Sequence, residues 1–193
     1  DFTASRGEYL NARVLSRYLD FEFIDATELI AFKKGGKFDD AATQAKVSEK
    51  LGGASHAVVP GFYGALPDGE IKTFSRGGSD ITGAIIARGV GADLYENWTD
   101  VSGFLMANPK IVDNPRPIEI ITYSELRELS YMGASVLHEE AIFPVKREGI
   151  PINIKNTNAP DEPGTLIVSD DSAEESTGTI TGVAGKKDFT VVA

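Results

Sequence analysis

The sequence predicts an α/β protein, a three-layer αβα sandwich built around an open, mostly parallel sheet. Three observations predict it. Short apolar runs of strand length alternate with longer stretches of helical periodicity. The joints between them are short and carry glycine. The 193 residues, 41% apolar with 20 glycines and 9 prolines, have the ordinary make-up of a mixed globular chain. Sheets of this kind are covered on both faces and take ligands beyond the carboxyl ends of their strands.

In chain order, Tyr9, Leu10, Ala12, Val14, Leu15, Tyr18 and Leu19 recur at three- and four-residue spacing, which predicts a helix over Glu8–Leu19. Phe21–Ala26 reads as a strand, Lys33–Lys37 as a polar glycine-containing loop, and Asp40–Leu51 as a helix stopped by Gly52-Gly53. His56–Val59 is a short strand. Pro67-Asp68-Gly69 is a turn returning into a strand over Ile71–Phe74. A helix opens at Arg76-Gly77-Gly78-Ser79-Asp80 and runs to Val90, with Ser79 or Asp80 as its N-cap. Leu94–Trp98 is a strand, Tyr123–Tyr131 and Ser135–Glu148 are helices, and Ile152–Lys155 and Thr165–Val168 are closing strands. Acidic, small-residue composition over 169–178 marks a linker, and Ile180–Val183 and Phe189–Val192 look like strand material beyond it.

Several function classes are set aside by composition. With no cysteine there is no disulfide framework, thiolate metal site or cysteine nucleophile. A formal net charge of −10 opposes a nucleic-acid backbone as main partner. No run approaches the roughly 18 apolar residues that span a bilayer, and with no cysteine a cytoplasmic setting is expected. His56 and His138 lie far apart without ligand-like neighbours, and no metal site is expected on the protein.

Three segments carry candidate chemistry. In Ser75-Arg76-Gly77-Gly78-Ser79-Asp80, paired glycines ahead of a helix let several amides approach one anion, and Arg76 offers a planar fork for a carboxylate. Taken alone, the pattern fits equally a glycine turn with a routine cap and a solvated arginine. Trp98-Thr99-Asp100-Val101-Ser102-Gly103 ends a strand with a hydroxyl and a carboxylate, where Asp100 bonding its own backbone is the simpler account. Ser5-Arg6-Gly7-Glu8 and Thr122–Glu125 both have capping-box spacing, and on spacing alone both are caps.

In order along the chain, these segments resemble aspartate kinase of the amino acid kinase family. Ser5-Arg6-Gly7-Glu8 is similar to its S-x-G-E, and Val58-Val59-Pro60-Gly61-Phe62-Tyr63-Gly64 to its V-V-x-G-F-x-G. Arg76–Asp80 matches R-G-G-S-D, Trp98–Gly103 matches W-T-D-V-x-G, and Gly133–His138 follows G-A-x-V-L-H. Asn156-Thr157 and Pro163-Gly164-Thr165-Leu166 fit the closing N-T and P-G-T-L. The resemblance implies an amino acid kinase-like fold and transfer of the γ-phosphate of ATP to the β-carboxylate of L-aspartate, on the route to lysine, threonine and methionine. Glu8, Arg76, Gly77, Gly78 and Ser79 would contact aspartate, and Arg76 and Asp80 would serve catalysis. Thr99, Asp100, Leu105, Asn108, Lys110, Ser135 and Val136 would line the ATP site, with Mg²⁺ carried mainly on the phosphates.

Ser135 stands where many members have lysine, Asn108 and Lys110 replace an Asp and an Arg, and Leu105 lies where some have tyrosine. The family's K-F-G-G-[ST] segment is not found in these residues. The resemblance therefore implies a catalytic domain over 1–168 that lacks its first strand, followed by the linker over 169–178 and by the start of a truncated ACT regulatory domain over 179–193. It also implies a homo-oligomer. A non-catalytic binding fragment, or a sister kinase acting on another carboxylate or a nucleoside monophosphate, is the alternative.

Overall fold

The computed structural model describes residues 1–131, 139–172 and 180–185. Its backbone divides into two compact units, Asp1–Ala92 with Glu140–Val145, and Asp93–Glu139 with Lys146–Ala193. Helices and strands alternate as expected. Among the described residues, three of the five named strand pairings are parallel.

The first unit contains α1 (Phe2–Leu19), β1 (Glu22–Phe23), α2 (Ala26–Leu29), α3 (Asp40–Leu51), β2 (Ala57–Val58), β3 (Tyr63–Ala65), β4 (Ile71–Thr73) and α4 (Gly78–Val90). Helix α1 starts six residues before the expected Glu8, so Ser5 is not a cap. Its hydroxyl donates back to the Phe2 carbonyl at 2.7 Å, inside the helix. The expected strand over Phe21–Ala26 is shorter because Asp25 ends it. The Asp25 carboxylate accepts from the Thr27 amide at 2.9 Å and the Thr27 hydroxyl at 2.8 Å, capping α2. Four residues are too few to show a helical period, which is why α2 was not expected.

Residues Lys33–Lys37 close a tight turn between the bridged Phe32 and Phe38, with the Lys33 amide donating to the Lys37 carbonyl at 2.7 Å. The core of this unit gathers Ile24, Leu29, Ile30, Phe32, Val47, Leu51, Tyr63 and Ile85. Each large side chain buried here contributes about 1.5–3 kcal/mol. A Cβ on Gly64 would overlap the Ile30 carbonyl, to which Ala65 donates at 2.9 Å, so only glycine lets β3 run this close to the end of α2. Helices α3 and α4 pack together and are tied by an ion pair in which Arg88 Nη1 donates to both Asp40 carboxylate oxygens, at 2.8 and 3.0 Å.

The second unit contains β5 (Tyr95–Thr99), β6 (Ile120–Thr122), α5 (Tyr123–Tyr131), β7 (Ile152–Asn156) and β8 (Thr165–Val168) in the sheet order β5-β7-β8-β6. Strands β5 and β7 run parallel with Thr99 opposite Asn156, so their carboxyl ends coincide. Strand β6 was not expected: Ile120-Ile121-Thr122 runs straight into α5 without a turn signal. Ile121, Ile152, Ile154 and Ile167 are fully buried, the alternation of a strand with one face in the core. The Tyr123 hydroxyl donates to the Ile150 carbonyl at 2.5 Å, and burial pushes its pKa well above the usual tyrosine value.

The capping box expected at Thr122 and Glu125 is formed. The Thr122 amide donates to Glu125 Oε2 at 2.9 Å, and the Glu125 amide donates to Thr122 Oγ1 at 3.2 Å.

The last helix, α6 (Glu139–Lys146), stops short of the expected Glu148 in a turn where Gly149 has φ 68°. The start expected for it, Ser135–His138, lies outside the described residues. Residues Asp170–Ser172 form one 3₁₀ turn, and the rest of the expected linker to 178 is outside the described residues. Residues 180–185 hold no strand, contrary to the expectation for Ile180–Val183, and Phe189–Val192 again lies outside. Instead, the Val183 amide donates to the Met106 carbonyl at 2.6 Å and the Thr181 hydroxyl to Glu125 Oε1 at 2.5 Å.

Candidate functional site

The start of α4 departs from the cap the sequence predicts. Neither Ser79 nor Asp80 caps it. The N-cap is Gly77, with φ 54° and no side-chain cap hydrogen bond, and the helix is first closed by the Ile81 amide donating to the Gly77 carbonyl at 2.9 Å. Gly77 takes the cap position because the chain turns there through the left-handed region, which glycine enters without steric cost. The first amides of a helix have no partner within it. With no side-chain cap on the helix, the amides of Gly78 and Ser79 form a pair of donors suited to an anion. Arg76 and Ser79 are exposed beside them, and Asp80 is half-buried in the first turn.

This helix start is packed against a second segment to which residue-by-residue reading gave no role. The turn Pro60-Gly61-Phe62 carries Phe62 at φ 83°, a conformation uncommon for any residue but glycine. A Cβ on Gly61 would come to 3.1 Å from Ser79 Cα, and one on Gly78 to 3.0 Å from Phe62 Cα and Phe74 Cβ. Glycine at both positions therefore lets backbone approach backbone without crowding. The Phe62 amide donates to Thr82 Oγ1 at 3.0 Å, and the Thr82 hydroxyl donates onward to the Gly78 carbonyl at 2.7 Å. A left-handed phenylalanine leaves no mark in composition or periodicity, so only the glycines could have signalled this turn.

Glu8 lies exposed within α1 rather than at a helix start. Its neighbour Ser5 is buried and accepts from the Arg6 guanidinium at 2.9 and 3.1 Å, while that guanidinium lies over the rings of Tyr9, Phe2 and Tyr63 at 4.5, 4.6 and 5.6 Å. The Tyr63 hydroxyl donates to Asp25 at 3.2 Å, and burial, then the Asp25 charge, raise its pKa above the ordinary tyrosine value. The S-R-G-E segment is thus anchored through its arginine and serine, which leaves the Glu8 carboxylate to solvent.

In the second unit, Thr99 and Asp100 sit at the carboxyl end of β5, where the Thr99 hydroxyl donates to Asp100 Oδ1 at 3.3 Å. The loop that follows is pinned from β7 and β8. The Thr157 amide and hydroxyl donate to the Thr99 carbonyl at 2.9 and 3.0 Å, and Asn156 Nδ2 donates to Ser102 Oγ at 2.9 Å. Buried Thr165 accepts from the Phe104 amide at 2.8 Å and donates to the Ile118 carbonyl at 2.5 Å. Gly103, at φ 90°, is pressed so closely on Thr165 that any Cβ would overlap its hydroxyl. These contacts give the closing N-T and P-G-T-L segments a role that residue-by-residue reading did not assign.

Asn108 Oδ1 accepts from the Lys110 amide at 2.9 Å, so this side chain builds the turn that presents the exposed Lys110. Leu105 is bridged to Pro117 and remains partly exposed. Ser135 and Val136 lie outside the described residues. Among the described residues no three His, Asp or Glu side chains converge as metal ligands.

The sequence pattern of the amino acid kinase family matches residues 1–156. Aspartokinase 3 of Bacillus subtilis is 40% identical over 201 residues, covering 98% of this chain and 43% of its own length. The solved structure of Clostridium acetobutylicum aspartate kinase superposes with a TM-score of 0.88 at 64% identity, over 95% of this chain and 42% of that one. The structure of E. coli aspartokinase III in complex with aspartate and ADP superposes with a TM-score of 0.75 at 28% identity, over 86% of this chain and 39% of that one. The chain thus spans less than half the length of each of these three relatives. With the family pattern matched over most of its length and its fold shared with solved members, the chain belongs to the amino acid kinase family.

Proposed function

We propose that the protein carrying this chain transfers the γ-phosphate of ATP to the β-carboxylate of L-aspartate, giving 4-phospho-L-aspartate. The observation that carries the reading is the uncapped start of α4: Gly77 in the left-handed conformation, amides not taken by a side-chain cap, and exposed Arg76 beside them. Together these suit the carboxyl end of an amino acid. That one relative was solved with aspartate and ADP supports the choice of ligands.

In this reading Arg76, Gly77, Gly78 and Ser79 hold aspartate, with Glu8 accepting from its ammonium group. Thr99, Asp100, Leu105, Asn108, Lys110, Ser135 and Val136 serve ATP. The nucleophile is the substrate's own carboxylate, whose reference pKa of about 3.9 leaves it ionised at neutral pH without a general base. The barrier is the approach of two anions, so the protein's task is alignment and charge neutralisation. Asp80 orients the donors around it. Mg²⁺ would arrive bound to the phosphates.

The same reading places the activity in the cytoplasm, on the route to lysine, threonine and methionine, in a homo-oligomer without nucleic-acid or membrane partners. Residues 179–193 would begin an ACT domain that makes the whole protein responsive to an end-product amino acid. The test is phosphoryl transfer from ATP across aspartate, glutamate, N-acetylglutamate and UMP, using the whole protein. Aspartate should be the preferred acceptor. Preference for any of the others would contradict the proposal.

A further inference from the structure

The turn at Gly61–Phe62 holds a conformation that phenylalanine does not choose unaided, with φ 83°. Two hydrogen bonds keep it there. The Phe62 carbonyl accepts from the Phe74 amide at 3.0 Å, which continues the β3–β4 pairing. The Phe62 amide donates at 3.0 Å to Thr82 Oγ1. The Thr82 side chain is buried, 3% exposed, one turn into α4, and its hydroxyl proton goes to the Gly78 carbonyl at 2.7 Å. A single hydroxyl therefore uses its donor and one acceptor site to join the turn to the helix start.

The joint is also a tight mechanical one. A Cβ on Gly61 would crowd Ser79 Cα at 3.1 Å and one on Gly78 would crowd Phe62 and Phe74 at 3.0 Å, so a larger residue at either would push the facing backbone aside. Any relaxation of Phe62 towards ordinary φ would shift the backbone that abuts Gly78 and Ser79, the residues whose amides form the anion site.

We propose that Thr82 is a positioning residue of the aspartate site. Its hydroxyl locks the Gly61–Phe62 turn in the left-handed form and so fixes where the Gly78 and Ser79 amides point. It does not touch the substrate, and the proposal rests on the aspartate reading given above. Purely steric packing by a β-branched side chain would predict a different result, because valine supplies the same shape without the hydroxyl.

The experiment compares Thr82→Val and Thr82→Ser in the whole protein. Thr82→Val should raise the aspartate KM about tenfold while the ATP KM stays within about twofold, and Thr82→Ser should keep the aspartate KM within about twofold of the parent. The exchange of the Phe62 amide with solvent should be slow in the parent, about tenfold faster in Thr82→Val, and unchanged in Thr82→Ser. An unmoved aspartate KM in a folded Thr82→Val variant overturns the proposal, as does an equal rise in both variants. Phe62 exchange in the parent at the rate of unstructured chain overturns it as well, and that reading needs no variant to fold. If the parent shows no aspartate-dependent transfer, the substrate reading fails on its own, and the exchange data still decide whether Thr82 locks the turn.

Discussion

At the scale of single residues, two assignments made from spacing came out differently from each other. Thr122–Glu125 and Ser5–Glu8 have the same S/T-x-x-E pattern, but only the first is a capping box. Spacing tells which groups could meet, not where a helix begins, and α1 already runs through Ser5. The same limit applies to Asp80, which is not the N-cap expected of it. It instead places a carboxylate in the first turn of α4, where negative charge complements the helix dipole. Its proposed role is to orient the nearby donors. Asp80→Asn should lower turnover by roughly tenfold to a hundredfold, the scale of a misplaced reacting group, with little change in melting temperature. Steady-state kinetics alongside a thermal melt would check this, and unchanged turnover would remove Asp80 from the site.

At the scale of elements, α5 shows how its local chemistry governs stability. Burial of the Glu125 carboxyl works to raise its pKa, but hydrogen bonds from the Thr181 hydroxyl and from Thr122 outweigh it and hold the group below its ordinary value. Asp170, bonded by the Ser124 hydroxyl at 2.7 Å, is lowered as well. A carboxyl with a depressed folded pKa stabilises fully above its unfolded value, about 4.3 for Glu, and loses that contribution as pH falls through the folded value. Melting curves from pH 6 downward should therefore fall more steeply below about pH 4.3 in the parent than in Glu125→Gln, which keeps a cap acceptor without the charge. Thr122→Ala should cost about 1 kcal/mol at neutral pH, the usual loss of a cap hydroxyl. Parallel pH profiles for parent and Glu125→Gln would contradict the assignment.

At the scale of the whole molecule, the sequence reveals most where several signals coincide. Helix α3 was expected at Asp40–Leu51 with Gly52-Gly53 as its stop and is found there, and the structure adds Asp39 as its N-cap, accepting from the Ala42 amide. Strand β8 and helix α5 were read with equal accuracy. Helix α2 was missed because its four residues are too few to show a period, and β6 because its apolar run leads directly into a helix. The residues around the candidate site were legible as ordered motifs, whereas their interlocking was not. Phe62 at positive φ, and the buried hydroxyls of Thr82 and Thr165 that tie loops to the secondary structure beside them, depend on contacts 20 and 61 residues apart in the chain. No local pattern encodes such contacts.

In the proposed function, Arg76 and the amides at the start of α4 hold the carboxyl end of aspartate. Aspartate saturation of Arg76→Ala in the whole protein tests it most directly. Loss of a charge-assisted pair of about 1.5–3 kcal/mol should raise the aspartate KM by one to two powers of ten, while the ATP KM stays near that of the parent. An Arg76→Ala variant that saturates with aspartate at the parent's concentration would contradict the account.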